Sequence, residues 1–240
     1  MTPIKTLQED GSVIWQAPGV FAHLEPRMFD PVWLRKSGAL TGSSIGRHEA
    51  HFLRLDGRDM VLRHYHRGGL IGRINKDLFL RQPVGKSRAM REFHLLQWMH
   101  DQGLPVPLPY ACRFVPSGLF YRTDLMMERI MDTRTLAEAL RAAPLPQQTW
   151  HRIGAVVARL HGLGVDHTDL NCRNILLDAA GQVWLIDFDK CHRRAAGNWT
   201  GGNLLRLKRS LEKERRNWPS LHYGDADWWA FQSGYDAERS

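Results

Sequence analysis

The feature that most constrains this chain is a polar segment, HTDLNCRNILL, which occupies residues 167–177. It follows an amphipathic helical pattern that stops at Gly162 and Gly164, and it leads directly into the apolar run Ile175-Leu176-Leu177. A second apolar run, residues 183–186, ends at Asp187. The order therefore predicts a helix, a polar loop, a β-hairpin and a carboxylate held at the end of a strand.

Three side chains in this segment suit phosphoryl transfer from a nucleotide. Such a reaction needs a carboxylate that orients the attacking hydroxyl, and oxygen ligands that hold Mg²⁺ against the phosphates. Asp169 fits the first role, while Asn174 and Asp187 fit the second. His167 is expected to support the loop rather than to react. A bare Asp-x₄-Asn pair is a weak signal, but its combination with the hairpin and Asp187 predicts a kinase-like site.

The rest of the first half is typical of a small sheet with one helix. Alternating runs at residues 51–55 and 60–65 predict a hairpin whose turn begins at Asp56-Gly57. Apolar residues that recur every three positions predict a helix over residues 87–100. Residues 119–127 are predicted to form a further strand.

Strands therefore come first and helices dominate afterwards, the last one predicted over residues 204–218. We expect an α+β protein with two lobes. The N-terminal lobe, residues 1–127, should hold a mostly antiparallel sheet and one long helix. The C-terminal lobe, residues 128–240, should be mainly helical and carry the catalytic loop, with a hinge near residues 127–130.

The catalytic residues resemble the protein-kinase set, in which an H-R-D-L-x-x-x-N loop precedes a D-F-G segment. Here Thr168 replaces the loop arginine and Asp187-Phe188-Asp189 replaces D-F-G. Three further segments extend the likeness: LRHYHRGGL at residues 62–70, REFHLLQWMHDQGLPVP at residues 91–107 and NLLRLKRSLEKE at residues 203–214. From about residue 38 to the C-terminal helix, the chain resembles the lipopolysaccharide core kinase family of the protein-kinase-like superfamily.

The resemblance implies a two-lobed protein-kinase-like fold that uses ATP and Mg²⁺. It implies transfer of a phosphoryl group to the 4-hydroxyl of a 3-deoxy-D-manno-octulosonic acid (Kdo) sugar on a lipid A precursor. It also implies a peripheral position at the cytoplasmic face of the bacterial inner membrane, and no nucleic-acid partner.

One departure from the general kinase pattern concerns the residue that holds the ATP phosphates. Arg63 stands where kinases carry a strand lysine, and arginine can bind phosphate through two parallel hydrogen bonds. Glu92 is the candidate partner of Arg63, because it shares a helix face with Leu95, Leu96 and Met99. The alternative for Glu92 is a solvated position at the rim of that face.

The nucleotide-binding elements of the first lobe carry weaker signals. Gly42 and Gly46 are the best candidates for a phosphate-covering loop, although an ordinary strand turn would explain them equally well. The backbone of Glu128 and Ile130 is expected to bind adenine at the hinge. Asp189 either adds a carboxylate near the metal or caps a turn.

The charge balance favours an anionic partner. The chain has 33 lysines and arginines against 25 aspartates and glutamates, a net charge of +8. The helix near residue 204 is rich in arginine and lysine and has tryptophans on either side, which suits an anionic membrane surface or the phosphates of a lipid A precursor. A solvated helix face with tryptophans in the core is the alternative.

Two further expectations concern compartment and span. The three cysteines, widely spaced and without a CxxC pair, favour a reducing compartment and free thiols. There is no secretory signal and no apolar run of about 18 residues, so we expect no membrane-spanning segment.

Two other functions stay open at this point. The same fold could phosphorylate a heptose, an aminoglycoside or a protein hydroxyl, although the 53 residues after Asp187 lack an A-P-E segment and are few for a peptide-binding lobe. A non-catalytic basic module that binds nucleic acid is the other class, but it would not need Asp169, Asn174 and Asp187.

Overall fold

The computed structural model describes residues 2–44, 50–66 and 77–239. The chain divides into two compact units, of which the first comprises Met1–Asp101 and Pro107–Arg129, and the second Gln102–Val106 and Ile130–Ser240. The two lobes and the hinge expected from the sequence stay a prediction. The short segment 102–106 groups with the second unit, which no sequence pattern had indicated.

The first unit is built on an eight-stranded antiparallel sheet. Its strands follow the order β1-β2-β7-β8-β5-β4-β3, and β6 pairs with β8. The strands are β1 Ile4–Leu7, β2 Val13–Gln16, β3 Leu40–Ser44, β4 Ala50–Leu55, β5 Arg58–His64, β6 Phe79–Leu80, β7 Pro109–Ser117 and β8 Phe120–Glu128. Among the described residues of this unit, two α-helices accompany the sheet, α1 Pro31–Lys36 and α2 Arg88–Asp101.

The hairpin of β4 and β5 confirms the sequence prediction. Its turn residues Asp56 and Gly57 have φ values of 48° and 74°. Positive φ at both central positions is the signature of a type I′ turn, whose twist matches that of the flanking strands. The turn fixes the register so that Leu53 lies opposite Met60, and both side chains enter the core of the unit.

Helix α2 follows the predicted apolar spacing. Met90, Phe93, Leu96 and Met99 are all buried, and the helix packs on β7 and β8. Glu92 shares this buried side of the helix rather than its solvated rim. The helix therefore carries a carboxylate into the interior, where it needs a cationic partner.

The second unit is mainly helical. Its helices are α3 Leu136–Ala142, α4 Gln147–Gly162, α5 Trp199–Asn217 and α6 Asp225–Arg239. Its strands form two small antiparallel sheets, β12-β11-β9 and β10-β13. They are β9 Thr133–Thr135, β10 Val165–Asp166, β11 Ile175–Asp178, β12 Val183–Leu185 and β13 His192–Arg193.

These elements confirm an α+β protein with a mostly antiparallel sheet, and they add helices that the sequence did not predict. Helix α5 begins at Trp199, five residues before the predicted start at residue 204. The sequence did not predict helix α6. On its buried face Trp228 stacks on Phe231, with ring centroids 4.8 Å apart, and Nζ of Lys208 in the basic helix α5 lies 5.5 Å from the centroid of the Trp228 ring.

A buried histidine joins three helices of this unit. Nδ1 of His161 in α4 lies 2.7 Å from the hydroxyl of Tyr235 in α6. Its Nε2 lies 3.3 Å from the amide nitrogen of Asn203 in α5. Burial lowers the pKa of His161 to about 4, so the imidazole is neutral at neutral pH. Asn203, the first residue of the NLLRLKRSLEKE segment, therefore helps to anchor α5.

The three cysteines are free and buried, as predicted. Within the described ranges, no helix combines the length and the apolar character that crossing a bilayer requires.

Helices α4 and α6 cross at two glycines that allow their backbones to touch. A Cβ atom on Gly154 would lie 2.6 Å from the backbone nitrogen of Tyr235, and it would also overlap the carbonyl oxygen of Phe231. A Cβ atom on Gly234 would lie 2.5 Å from Cα of His151. Because these neighbours are backbone atoms, no side-chain rotation can relieve the overlap.

Gly154→Ala should therefore lower the free energy of unfolding by about 3 kcal/mol, since the helices must move apart. Gly202→Ala is the matched control, because a Cβ atom at this helical glycine of α5 meets no atom within 4 Å. The control should leave the free energy of unfolding unchanged or raise it by about 0.5–1 kcal/mol, the usual gain of alanine over glycine in a helix. Urea unfolding of both variants tests this, and equal stabilities would contradict the close crossing.

Candidate active site

The predicted catalytic loop, residues 167–174, connects β10 to β11 in the second unit. Its turns are closed by backbone hydrogen bonds from Leu170 to the His167 carbonyl, 3.1 Å, and from Asn174 to the Asn171 carbonyl, 3.0 Å. The side chain of Leu170 is fully buried. The loop is thus a folded structure anchored by an apolar side chain, and not an open connection.

Asp169 and Asn174 are joined directly across this loop. The carbonyl oxygen of Asp169 accepts hydrogen bonds from the side-chain amides of Asn171, at 2.9 Å, and of Asn174, at 3.0 Å. Because the nitrogen of the Asn174 amide is used in this way, the amide oxygen is the end left to act as a metal ligand. The geometry suits the predicted role of Asn174.

Asp187 is brought to the same place by the hairpin of β11 and β12. Ile175 lies opposite Leu185 in this hairpin, and one step further Ile186 donates its backbone N–H to the Asn174 carbonyl at 3.0 Å. Asp187 is therefore next in sequence to the residue bonded to Asn174. The structure brings Asp169, Asn174 and Asp187 together within one unit.

The backbone of Asp187 adopts an unusual conformation. Its φ is 65°, in the left-handed region that non-glycine residues rarely occupy. A conformation of this kind costs about 1–2 kcal/mol and persists only where the surroundings impose it. Strain of this kind clusters at functional sites, which favours a role for the Asp187 carboxylate beyond that of a turn residue.

His167 supplies part of the restraint. Its Nε2 lies 3.1 Å from the carbonyl oxygen of Ile186, and its ring packs 4.8 Å from that of Phe188. His167 thus holds the residues on both sides of Asp187. Burial lowers its pKa, against the smaller opposing effects of the Ile186 carbonyl and of Asp187 and Asp169. These contacts fit the prediction that His167 supports the loop.

The oxygen donors fit a magnesium ion. Mg²⁺ prefers oxygen ligands and is commonly held by one or two carboxylates together with phosphate oxygens and water. Asp187 offers a carboxylate, and Asn174 offers an amide oxygen whose partner nitrogen is already bound. Their roles as metal ligands stay a prediction, as does the role of Asp169 towards the attacking hydroxyl.

Sequence reasoning missed the residues that hold the middle of the loop. The backbone N–H of Cys172 donates to the Ser210 hydroxyl of α5 at 3.0 Å. Arg173 donates from Nε to the Glu214 carboxylate of α5 at 2.8 Å. The sequence indicates only that Ser210 and Glu214, four residues apart, share a face of the predicted helix, and not that this face meets the loop.

A second missed pair anchors the segment after Asp187. Asp166, which directly precedes the loop, accepts a hydrogen bond from Nη1 of Arg194 at 2.8 Å. The same segment pairs with β10, where Asp166 lies opposite His192. The chain on both sides of the catalytic residues is therefore tied by an ion pair and a short sheet. The role of Asp189 stays open.

In the first unit, Arg63 and Glu92 form the predicted ion pair. Nη2 of Arg63 donates to Oε2 of Glu92. The hydroxyl of Tyr65 accepts from Arg63 at 3.0 Å and donates to the same carboxylate. Glu92 is only 3% exposed, which excludes the solvated rim position. Whether Arg63 binds phosphate stays a prediction.

The structure gives less support to the other residues predicted to bind the nucleotide. Gly42 lies in β3, and a Cβ atom there would contact the ring of Phe52 at an ordinary 3.5 Å, so sterics do not demand glycine. Gly46 lies outside the described residues. Glu128 ends β8, where its backbone N–H donates to the Leu108 carbonyl at 2.8 Å and its carboxylate accepts from the Leu108 N–H at 3.2 Å. Its role towards adenine stays a prediction. The Ile130 carbonyl accepts from the Thr133 hydroxyl at 3.2 Å.

Glu92→Gln should destabilise the first unit, since it removes the buried carboxylate that pairs with the half-buried Arg63 guanidinium. Removal of one partner from a buried pair typically costs about 3–5 kcal/mol. We also expect a higher KM for ATP, because Arg63 would lose its fixed orientation. Arg91→Gln is the control, because Arg91 is an exposed neighbour on the same helix. Thermal unfolding and ATP titration measure both effects, and wild-type behaviour of Glu92→Gln would refute the assignment.

Comparison with known proteins agrees with this architecture. A model of the lipopolysaccharide kinase (Kdo/WaaP) family matches residues 31–235. A relative from Vibrio vulnificus is 40% identical over 215 residues, 90% of this chain and 91% of the relative. Another from Vibrio parahaemolyticus is 41% identical over 211 residues, 88% and 89% of the two chains. One from Haemophilus influenzae is 40% identical over 210 residues, 80% and 87% of the two chains.

All three relatives are named 3-deoxy-D-manno-octulosonic acid kinase. The family match spans most of the chain and includes both the Arg63–Glu92 pair and the loop that joins Asp169 to Asn174. The chain belongs to the lipopolysaccharide kinase (Kdo/WaaP) family.

Proposed function

We propose that this protein is an ATP-dependent 3-deoxy-D-manno-octulosonic acid kinase that phosphorylates the 4-hydroxyl of a Kdo sugar on a lipid A precursor. The names of its relatives support the sugar, and the family resemblance supports the lipid-linked acceptor and the hydroxyl. The proposal rests on two hydrogen bonds of Asn174. Its side chain bonds to Asp169, and its backbone bonds to Ile186, the residue beside Asp187.

The reaction is a direct in-line transfer. The sugar hydroxyl attacks the γ-phosphorus of ATP, the bond from that phosphorus to the bridging oxygen of ADP breaks, and a phosphate ester forms. Asp169 orients the hydroxyl and accepts its proton as the new oxygen–phosphorus bond forms. The Asp169 carboxylate can do this without a histidine, because the buried His167 is neutral and bonded to the backbone.

The remaining residues bind and orient the nucleotide. Asn174 and Asp187 would hold Mg²⁺, which when bound neutralises charge on the phosphates. Arg63, kept in place by Glu92 and Tyr65, binds phosphate oxygens. The backbone groups of Glu128 and Ile130 bind adenine. None of these roles requires a covalent enzyme intermediate.

Asp169→Asn and Asp187→Asn should each lower kcat by at least about a hundredfold, because a positioned base alone contributes about 10²–10⁴ in rate. Asp225→Asn is the control, since Asp225 is an exposed residue at the start of α6. The assay follows ADP release with a Kdo-bearing lipid A precursor, and circular dichroism verifies folding. Robust transfer by a folded Asp169→Asn variant would refute its role.

The same assay separates the competing acceptors. Equal or faster phosphorylation of a heptose or an aminoglycoside would move the proposal to another small-molecule kinase. Absence of ATP turnover with every acceptor, together with binding to nucleic acid, would favour the non-catalytic module. The retained constellation of Asp169, Asn174 and Asp187 argues against that outcome.

The exposed face of α5 supports a peripheral membrane position. Its buried face is set by Asn203, Leu207, Leu211 and Glu214, and five of its exposed side chains form one stripe, here called the basic stripe: Leu205, Arg206, Arg209, Lys213 and Arg216. No carboxylate in the described part of the chain pairs with these four cations. Trp218 and Trp229 are 48% and 69% exposed. Exposed cations together with exposed tryptophans suit the anionic cytoplasmic face of the inner membrane.

Reversal of three charges, Arg206→Glu, Arg209→Glu and Lys213→Glu, should abolish binding to vesicles that contain phosphatidylglycerol. Each cation near an anionic surface contributes about 1 kcal/mol, so the affinity should fall by two orders of magnitude or more. The control reverses the exposed residues Arg35, Lys36 and Arg54, which changes net charge equally. Vesicle cosedimentation measures both, and an equal loss in the two triple variants would show that only net charge matters.

A further inference from the structure

Helix α5 touches the catalytic loop at two adjacent residues. The Ser210 hydroxyl accepts the backbone N–H of Cys172 at 3.0 Å. Oε1 of Glu214 lies 2.8 Å from Nε and 2.7 Å from Nη2 of Arg173. Ser210 and Glu214 are one helical turn apart, so a single face of α5 meets the loop.

Glu214 is a buried carboxylate held by two guanidinium groups. It is 5% exposed, and its second oxygen accepts from Nη2 of Arg141 in α3 at 2.6 Å. Burial raises its pKa, but the hydrogen bonds and charges of Arg141 and Arg173 outweigh this and lower it. The carboxylate is therefore ionised at neutral pH and bonded through both oxygens.

The contacts with α5 are made in the middle of the loop, between two residues with proposed catalytic roles. Cys172 and Arg173 lie between Asp169 and Asn174, the residues proposed to orient the hydroxyl and to hold the metal ion. Cys172 also accepts a hydrogen bond at its carbonyl from the Ala137 backbone of α3 at 3.2 Å. The middle of the loop is thus held by α3 and α5, while its ends are joined by the Asn174 amide.

We propose that Glu214 and Ser210 are positioning residues that set the distance between Asp169 and Asn174 through their hold on Arg173 and Cys172. This inference rests on the proposed kinase function. It also gives the segment NLLRLKRSLEKE a role in positioning the loop, since Ser210 and Glu214 belong to it. Displacement of a catalytic group by about 1 Å can cost a hundredfold in rate, so a contact outside the site can act strongly on kcat.

The two arginines on Glu214 allow positioning to be separated from simple stabilisation. Arg173 belongs to the catalytic loop, whereas Arg141 belongs to α3 and touches no proposed catalytic residue. Replacement of either arginine by glutamine removes one ion pair with Glu214. A purely structural role predicts equal effects on kcat, while a positioning role predicts an effect from Arg173 alone.

The experiment compares full-length Arg173→Gln, Arg141→Gln, Glu214→Gln and Ser210→Ala with the wild type. Glu212→Gln, a partly exposed glutamate on the same helix, is the control. We measure kcat and the KM for ATP with a Kdo-bearing lipid A precursor, and the thermal unfolding midpoint of each variant. Wild-type transfer must be present, since its absence would refute the proposed function and not this inference.

We expect kcat to fall about 10–100-fold in Arg173→Gln and Glu214→Gln, with the KM for ATP changed less than about threefold. Arg141→Gln and Glu212→Gln should keep kcat within about threefold of the wild type. The double variant Arg173→Gln with Glu214→Gln should have a kcat no lower than that of the slower single variant, because the two single substitutions remove the same contact.

Equal kcat losses in Arg141→Gln and Arg173→Gln would overturn the inference, as would wild-type kcat in a folded Glu214→Gln. If Glu214→Gln does not fold, Ser210→Ala and Arg173→Gln decide. Ser210→Ala removes a single hydroxyl and should lower kcat about 3–10-fold at an unchanged KM for ATP. Wild-type kcat in both of these variants would show that α5 only stabilises the fold.

Discussion

The candidate site depends on one residue, Asn174, which joins two parts of the chain through two different groups. Its side-chain nitrogen donates to the Asp169 carbonyl, and its backbone carbonyl accepts from Ile186. The first bond closes the catalytic loop, and the second attaches the hairpin that ends at Asp187. Because an asparagine amide offers both a donor and an acceptor, the nitrogen can serve the fold while the oxygen stays available to a cation.

This joint is made rigid by interactions that are costly to break. Asp187 stays in a left-handed conformation because His167, buried and neutral, bonds to Ile186 on one side and packs on Phe188 on the other. A strained residue of this kind needs neighbours that determine its position fully. Helices α3 and α5 hold the loop that carries His167, and the close glycine crossing of α4 and α6 fixes the helix that precedes this loop.

Local sequence patterns predicted the local parts of this structure. The type I′ turn at Asp56-Gly57, the buried face of α2 and the hairpin before Asp187 all follow from spacing and turn chemistry within about ten residues. The hold of Glu214 on Arg173 could not be found in this way, because the two residues are 41 positions apart. Helix α6 escaped notice since its tryptophans and glycine obscure the helical pattern.

Helix α5 shows why long-range contacts matter most for function in this chain. In this helix Ser210 and Glu214 bond to the catalytic loop, while Arg206, Arg209 and Lys213 are exposed. The loop-facing side is fixed by hydrogen bonds to the catalytic loop, and the exposed side carries positive charge that no carboxylate among the described residues pairs with. A helix moves as a rigid body, so a displacement of its outer face shifts Ser210 and Glu214 as well. The position of the catalytic loop and the orientation of the basic stripe are therefore set by the same element.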